Sequence, residues 1–238
     1  MKKAHNTQIH LDERLYLCAK NVRLGSTVAD IGADHAYIAI WLILNEVCPR
    51  AIATDLRSGP LMNAQKNIFK YGVADKIEAR LSDGLDAVFP AEVEDIIIAG
   101  MGGELIMQII ARAGWLRDPT KHLVLQPMSA EVELREFLAS QKFKIVSEQA
   151  VVSCGKVYTV MSVFFDANFS RGDELYPYIG RLDDNLTAEN RLYIERTIRD
   201  LRNKLAGFFA TQDFKKSTEL QGIIARLEDI CKGDCRND

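Results

Sequence analysis

The sequence has few cysteines and no long apolar run. Its 238 residues contain five scattered cysteines, an odd number that predicts reduced thiols rather than a disulfide framework. No stretch approaches the roughly 18 uninterrupted apolar residues of a membrane span. The first residues, Met1 to Asn6, are not followed by the apolar core of a signal peptide. We therefore expect a cytoplasmic protein without a membrane segment.

Several catalytic signatures are also missing. The sequence has no Gly-x-Ser-x-Gly elbow, no Walker phosphate loop and no Cys-x-x-Cys pair, which disfavours hydrolases, NTPases and redox enzymes. The four-residue spacing of Cys231 and Cys235 would place them one turn apart on a helix, but two thiolates without a histidine neighbour make a poor zinc site. We expect no metal.

Basic residues are not in excess. The chain has 30 Lys and Arg against 33 Asp and Glu, a net charge of −3. This balance counts against a nucleic-acid substrate, although a local basic face can exist on an acidic protein.

A glycine turn follows the apolar run Thr27–Ile31. The segment from Asp30 through Gly32 to Tyr37 predicts a strand, a tight turn and a helix, an arrangement typical of nucleotide-like cofactor sites. Asp34 and Ala36 stand where a dinucleotide fingerprint has its later glycines. Because the Asp34 carboxylate would repel a pyrophosphate at the helix N-terminus, the turn favours a phosphate-free, cationic cofactor such as S-adenosylmethionine.

Further carboxylates follow the next strands. Asp55 lies 25 residues beyond Asp30, the spacing of an acid that binds ribose hydroxyls, and Asp83 is positioned to accept the amine of an adenine. Each aspartate alone is more typical of a helix cap or turn. Acids at three strand ends on one sheet edge favour the cofactor interpretation, since open α/β sheets bind ligands there.

Two later strand ends are less specific. The loop from Gly100 to Gly103 lets another molecule approach the backbone closely, or supplies turn dihedral angles; both interpretations stay open. Gln126-Pro127 either contacts a substrate or stops the strand. His35 is the best placed of the four histidines, although a packed or capping role is favoured over a proton shuttle.

Apolar runs alternate with amphipathic stretches from about residue 27 to 165, which predicts a doubly wound α/β sheet. Predicted strands are Thr27–Ile31, Ala51–Asp55, Ile77–Leu81, Asp95–Ala99, His122–Gln126, Lys144–Val152 and Val157–Phe165. Predicted helices are roughly Ile9–Asn21, Ala36–Val47, Pro60–Tyr71, Gly103–Ala113 and Ser129–Gln141. The last two strands have no helix between them, so they predict an antiparallel hairpin at the sheet edge. That ending is characteristic of the Rossmann-like class I methyltransferase fold, with seven mostly parallel strands and an antiparallel last strand.

The pattern changes after Phe165, which predicts domains over 1–165 and 166–238. A linker near residues 168–173 precedes a helical stretch from Leu186 to Phe209. A second helix follows a break around Thr211–Lys216. Apolar residues at spacings of three and four favour an antiparallel coiled-coil hairpin. The alternative is that both helices simply pack on the main domain.

Taken together, the motifs resemble the TrmK family of bacterial tRNA (adenine-N1)-methyltransferases, which act at adenine 22 in the D arm. The resemblance rests on Leu11–Leu15, Asp30–Tyr37, Ala53–Asp55, Ser82–Gly84, Ala99–Gly103 and Leu125–Pro127. It implies a Rossmann-like methyltransferase domain followed by a helical coiled-coil domain. It also implies S-adenosylmethionine as the cofactor and tRNA as a partner. We expect a monomer or weak dimer.

The resemblance extends to individual site residues. It implies functional roles for Arg14 and Asp34 near the acceptor base. With neighbouring positions, the predicted cofactor site comprises Asp30, Gly32, His35, Asp55, Leu56, Asp83, Gly84 and Gly100. The predicted substrate site comprises Met101, Gly102, Gly103, Gln126 and Pro127.

This chain departs from the family pattern at two positions. It has Ala39 where the family often has Pro, and Met128 where the family tends to have Asn. The alternatives are a methyltransferase for small molecules or proteins, which the acidic balance favours, and a non-catalytic RNA-binding protein in which Asp55 and Asp83 are dispensable.

Overall fold

The computed structural model describes residues 9–211 and 213–233. Its centre is a seven-stranded sheet in the order β3-β2-β1-β4-β5-β7-β6. The strands β1 to β5 are parallel, and β7 runs antiparallel to both of its neighbours, β5 and β6. The bounds are β1 Val28–Ile31, β2 Ala51–Asp55, β3 Ile77–Leu81, β4 Asp95–Met101, β5 His122–Pro127, β6 Phe143–Ser153 and β7 Lys156–Phe165. This topology confirms the predicted methyltransferase fold.

Helices cover both faces of the sheet. Their bounds are α1 Glu13–Lys20, α2 Tyr37–Leu44, α3 Ser58–Lys70, α4 Gly103–Arg112, α5 Glu131–Ser140, the short α6 Tyr176–Ile179, α7 Ala188–Ala210 and α8 Phe214–Gly233. Alternate strand residues point to opposite faces. Ile96 and Ile98 therefore join the core under α4 and α5, while Ile97 joins the core under α1, α2 and α3.

Several element bounds differ from the prediction, and local capping explains two of those that belong to helices. Helix α1 begins later than predicted, because the Asp12 carboxylate accepts a hydrogen bond from the Leu15 N–H at 2.8 Å and caps the helix. Helix α2 ends at Leu44, three residues early, since Glu46 adopts a left-handed φ of 57°. Strand β4 continues past its predicted end to Met101, which pairs with Pro127 after an irregularity in the ladder.

The C-terminal helices form a hairpin that also packs on the sheet. An apolar cluster joins α7 to α8 through residues such as Ile198 and Ile224. The first half of α7 contacts β6, where the Asn190 Oδ1 accepts a hydrogen bond from the Ala150 N–H at 2.7 Å. Helix α7 therefore packs both on α8 and on the sheet.

A buried ion pair ties the segment after Phe165 to the sheet. The Arg135 guanidinium on α5 is fully buried and donates to Glu148 on β6, with 2.6 Å between Nη2 and Oε1. It also donates to the carbonyls of Pro177 and Tyr178, each at 3.1 Å, and to the Tyr193 hydroxyl at 2.9 Å. The sequence analysis did not anticipate this network.

None of the helices in the described part of the chain combines the length and the apolar character of a membrane span.

Candidate active site

A cavity of about 310 Å³ opens at the carboxyl ends of β1 and β4. It brings together six of the predicted site residues, which are Arg14, Asp30, Gly32, Asp34, His35 and Gly100. A larger cavity of about 580 Å³ lies at the opposite, amino-terminal edge of β1, β2 and β3 and contains no predicted site residue. Ligands of open α/β sheets bind at the carboxyl edge, so the smaller cavity is the candidate active site.

Gly32 and Asp30 form the floor of this cavity. Gly32 has a left-handed φ of 72°, and a Cβ there would collide with the Cε of Met101. The Asp30 side chain is buried, and this burial raises the pKa of its carboxyl to about 7, partly offset by a hydrogen bond from the Ala39 backbone N–H. A cationic ligand would favour the ionised carboxylate and offset its loss of hydration.

Asp34 and His35 lie at the exposed mouth of the cavity. The Asp34 side chain is 57% exposed, and its Oδ2 lies 3.5 Å from the His35 Nε2. The His35 ring stacks on Tyr37 with 5.2 Å between the ring centroids. The Asp34 carboxylate is therefore accessible to a ligand, whereas His35 is held against its neighbours.

Gln126 joins two parts of the site that are distant in sequence. Its buried Oε1 accepts hydrogen bonds from the Arg14 Nη1 at 2.6 Å and the Gly100 N–H at 3.0 Å. Its Nε2 donates to the Pro127 carbonyl at 2.7 Å. The Arg14 guanidinium also contacts the Asp12 carboxylate at 3.3 Å. Arg14, Gly100 and Gln126 thus form one connected unit.

The remaining predicted cofactor residues, Asp55, Leu56, Asp83 and Gly84, do not line this cavity. Asp55 is buried at the end of β2, where its Oδ1 accepts a hydrogen bond from the Arg57 N–H at 2.8 Å, and Leu56 beside it is 64% exposed. Gly84 has a φ of 58° and lies under Ile109.

Asp83 has a partner that the sequence analysis missed. The Arg112 Nη2 lies 2.9 Å from its Oδ1, and hydrogen bonding from Arg112 lowers the pKa of the Asp83 carboxyl. Asp83 and Arg112 are 29 residues apart, and no local pattern signals the pair. A ligand amine at Asp83 would share the carboxylate with Arg112.

The glycine-rich segment Gly100–Gly103, at the junction of β4 and α4, divides into two parts. A Cβ at Gly103 would lie 2.6 Å from the Ala130 carbonyl oxygen, and the Gly103 N–H donates to the Ser129 carbonyl at 2.8 Å. Close packing on this segment therefore explains Gly103. Gly100, with a φ of 75°, instead lines the cavity beside Arg14. Gly102 faces the Ser129 hydroxyl.

Met128 directly follows β5, the strand that pairs with β4, and its side chain contacts Arg14. Its side chain is 42% exposed, and its Sδ lies 3.8 Å from the Arg14 Nη1. The thioether is a weaker acceptor than the amide oxygen of the asparagine typical of the family.

Among the described residues, the histidines and cysteines outside the predicted site do not line the cavity. His122 is buried near the amino edge of the sheet, where its Nδ1 lies 2.9 Å from Asp95 and its Nε2 lies 2.6 Å from the Ser162 hydroxyl. Cys235 and His5 lie outside the described residues. Within residues 9–211 and 213–233, no group of three or more His, Cys, Asp or Glu side chains is arranged to hold a metal ion.

Comparison with known proteins places this chain in a family. Residues 11–161 match the family model described as "Methyltransferase domain". A Bacillus subtilis protein named tRNA (adenine(22)-N(1))-methyltransferase is 34% identical over 154 residues. That alignment spans 65% of this chain and 65% of the relative, so the chain matches just under two thirds of the relative's length.

Two solved structures are similar over nearly the whole chain. The crystal structure of the B. subtilis m1A22 tRNA methyltransferase TrmK is 27% identical with a TM-score of 0.77, covering 94% of this chain and 100% of that one. A Streptococcus pneumoniae protein in complex with S-adenosyl-L-methionine is 29% identical with a TM-score of 0.81, covering 93% of this chain and 100% of that one. The chain therefore belongs to the methyltransferase domain family, and its similarity to TrmK structures extends over nearly the whole chain.

Proposed function

We propose that this chain transfers a methyl group from S-adenosylmethionine to N1 of an adenine in tRNA, at position 22 of the D arm. The observation that carries the proposal is the set of carboxylates at the carboxyl edge of the sheet, led by Asp30 and Asp34 in one cavity. The similar B. subtilis protein is named for this activity, and the similar S. pneumoniae structure contains the cofactor.

The cavity suits a cationic nucleoside. Burial leaves Asp30 with a raised pKa that a positive ligand would lower. Asp55 lies at the neighbouring strand end, the expected place for an acid that binds a ribose, and the exposed Leu56 offers an apolar surface to a base. We assign Asp30, Gly32, Asp55, Leu56 and Asp83 to cofactor binding, together with His35, Gly84 and Gly100.

When bound, S-adenosylmethionine would supply an electrophilic methyl carbon; its S–C bond would break as the new N–C bond forms, and the leaving group would be the neutral thioether S-adenosylhomocysteine. Neutral adenine N1 already has a lone pair, so the chain needs no strong base to start the attack. The adenine ring becomes cationic as the N–C bond forms. The accessible Asp34 carboxylate accepts a hydrogen bond from the exocyclic amine and stabilises this growing charge.

Arg14 positions the acceptor. Its guanidinium, held by Gln126, binds a phosphate or stacks on a base, and the loop from Met101 to Gly103 with Gln126-Pro127 borders the acceptor side. Because N1 lies on the pairing edge of adenine, the base must be unpaired or flipped out to reach the cavity. Alignment of N1 with the methyl carbon supplies the rest of the rate enhancement.

The proposal also assigns a role in tRNA binding to the C-terminal region. We assign residues 1–165 to the methyltransferase domain and 166–238 to a helical domain whose hairpin grips tRNA. The expected setting is the cytoplasm, with the protein as a monomer or weak dimer.

The direct test incubates unmodified tRNA transcripts with labelled S-adenosylmethionine and maps the modified nucleoside. We expect 1-methyladenosine at position 22, and no label in a matched transcript that has guanine at that position. Label at another position, or label only in a small molecule or protein added as an alternative acceptor, would contradict the proposal.

A further inference from the structure

A third cavity lies beside the candidate active site. It has a volume of about 470 Å³ and runs between the β6–β7 turn, β7 and the first half of α7. We call it the β7–α7 groove. The residues that line it include Met128, Lys156, Tyr158, Leu192, Arg196 and Arg199.

The β7–α7 groove adjoins the active-site cavity through shared side chains. The Sδ of Met128, which lines the groove, lies 3.8 Å from the Arg14 Nη1. The Arg14 guanidinium also lies over the ring of Tyr158, 5.8 Å from its centroid. Arg14 lines the active-site cavity, so a chain lying in the groove would meet the site at Arg14.

The charge of the groove is opposite to that of the whole chain. Three of its lining residues are cations and none is acidic, whereas the chain has a net charge of −3. Arg196 is engaged by Glu131 at 2.8 Å and by the Val157 carbonyl at 3.1 Å, and it stacks on Tyr193. Arg196 therefore builds the wall of the groove.

Lys156 and Arg199 remain available for a ligand. Both are exposed, and across the described ranges no ion pair or hydrogen bond engages either side chain. Glu195, one turn before Arg199 on α7, lies beyond ion-pair distance. Two uncompensated cations beside the half-exposed side chains of Met128 and Leu192 fit a ligand that is anionic along one edge and apolar along the other.

We propose that the β7–α7 groove binds the RNA strand next to the target adenine. Lys156 and Arg199 contact its phosphates, and Tyr158, Met128 and Leu192 contact a neighbouring base. Single-stranded nucleic acids are bound in this way, by cations that follow the backbone and by aromatic or apolar side chains under the bases. The inference rests on the proposed tRNA methylation and adds where the substrate lies.

The test neutralises the two free cations together, in the full chain. Lys156→Gln with Arg199→Gln should weaken binding of unmodified tRNA by about tenfold or more at moderate salt and lower the slope of log affinity against log salt by about 1.4–1.8. Steady-state methylation should show a raised KM for tRNA and an unchanged kcat. The affinity for S-adenosylmethionine, measured by calorimetry, should match that of the wild type and also reports on folding.

The matched control removes two exposed lysines from another face. The control variant carries Lys66→Gln and Lys70→Gln. Both lysines lie on α3, which packs on β2 and β3 at the other end of the sheet. This control should leave the tRNA affinity and its salt slope unchanged. A loss of affinity equal to that of the groove variant would show a diffuse charge effect and overturn the assignment.

The outcomes separate this inference from the proposed function. If the wild type methylates tRNA and the groove variant keeps the wild-type affinity, salt slope and KM, the groove assignment is wrong and the proposed function stands. If the wild type binds S-adenosylmethionine but neither binds nor methylates tRNA, both fail together.

Discussion

The Asp30 carboxyl has the most strongly altered chemistry of the residues in the candidate site. Burial raises its pKa to about 7 from an ordinary value of 3.8. Ionisation of Asp30 is thus disfavoured in the folded state and lowers the stability of the fold. This loss of stability is absent below the pKa of Asp30 in the unfolded chain, and it is complete above the pKa in the folded chain. Between these values, the free energy of unfolding should fall by up to about 1.4 kcal/mol per pH unit because of this group.

Asp30→Asn isolates this effect. Chemical denaturation of the cofactor-free chain at several pH values should show the wild type losing stability relative to Asp30→Asn between pH 4 and pH 7. A difference that stays constant across this range would mean that Asp30 titrates normally. A cationic cofactor favours the ionised carboxylate, so cofactor affinity of the wild type should also weaken below pH 7.

Arg14 and Asp34 are the residues that we expect to act on the acceptor. Arg14→Ala and Asp34→Ala should each lower kcat/KM for tRNA by about 100-fold or more, the scale of removing one electrostatic or positioning contact. Asp34 is exposed, so its removal should change stability by at most about 0.5 kcal/mol. Near-normal turnover of both variants, measured with the labelled-cofactor assay, would remove them from the mechanism.

Gln126 should affect activity through its neighbours. Gln126→Met keeps a similar volume but leaves the Arg14 guanidinium and the Gly100 N–H without their buried acceptor. We expect a loss of about 1–3 kcal/mol in the free energy of unfolding and a fall in kcat/KM. Gln126→Glu retains an acceptor oxygen and should restore more of the activity than Met. Equal activity of the two variants would argue against a positioning role.

At the scale of secondary-structure elements, the Arg135–Glu148 pair holds α5, β6 and α6 together. Both side chains are fully buried, and the Thr159 hydroxyl donates to the Glu148 Oε1 at 2.6 Å. Glu148→Gln leaves the buried guanidinium without a counter-charge and should cost about 3–5 kcal/mol of stability. Thermal or chemical denaturation measures this loss.

An exposed ion pair in the same chain provides the control. Arg202 lies 2.7 Å from Glu228 between α7 and α8, and its side chain is 62% exposed. Arg202→Ala should cost at most about 1 kcal/mol, since solvent screens such pairs. Similar losses for Glu148→Gln and Arg202→Ala would contradict the importance of burial.

Strand β4 and helix α5 show what local sequence patterns can and cannot predict. Parallel strands such as β4 were predictable because they are continuous apolar runs between turn signals. Arg135 was not, because an arginine on an amphipathic helix ordinarily indicates solvent. Its burial depends on the carbonyls of Pro177 and Tyr178, which the chain delivers more than 40 residues later.

At the scale of the whole molecule, we expect the C-terminal region to have two separable roles, in stability and in tRNA binding. A chain ending at Phe165 removes three partners of Arg135, and should therefore be less stable than the full chain. Adding Arg135→Met and Glu148→Met to the shortened chain removes the stranded charges. In that background, we expect tRNA affinity to fall by about tenfold or more and cofactor affinity to change far less.

Circular dichroism and cofactor calorimetry on the shortened chain establish that it is folded before tRNA binding is compared. Unchanged tRNA affinity would mean that the helical hairpin does not contact the substrate.

The sequence by itself determined the alternation of strands and helices, the carboxylates at the strand ends, and the family. The first two depend on periodicity and turn chemistry within a few residues, whereas the family rests on the resemblance of motifs that lie between Leu11 and Pro127. Only the tertiary structure decided that Arg14 meets Gln126, 112 residues away, that Arg112 pairs with Asp83, and that Lys156 and Arg199 share one groove. Such contacts depend on the path of the whole chain and on which side chains it removes from water, which no local pattern specifies.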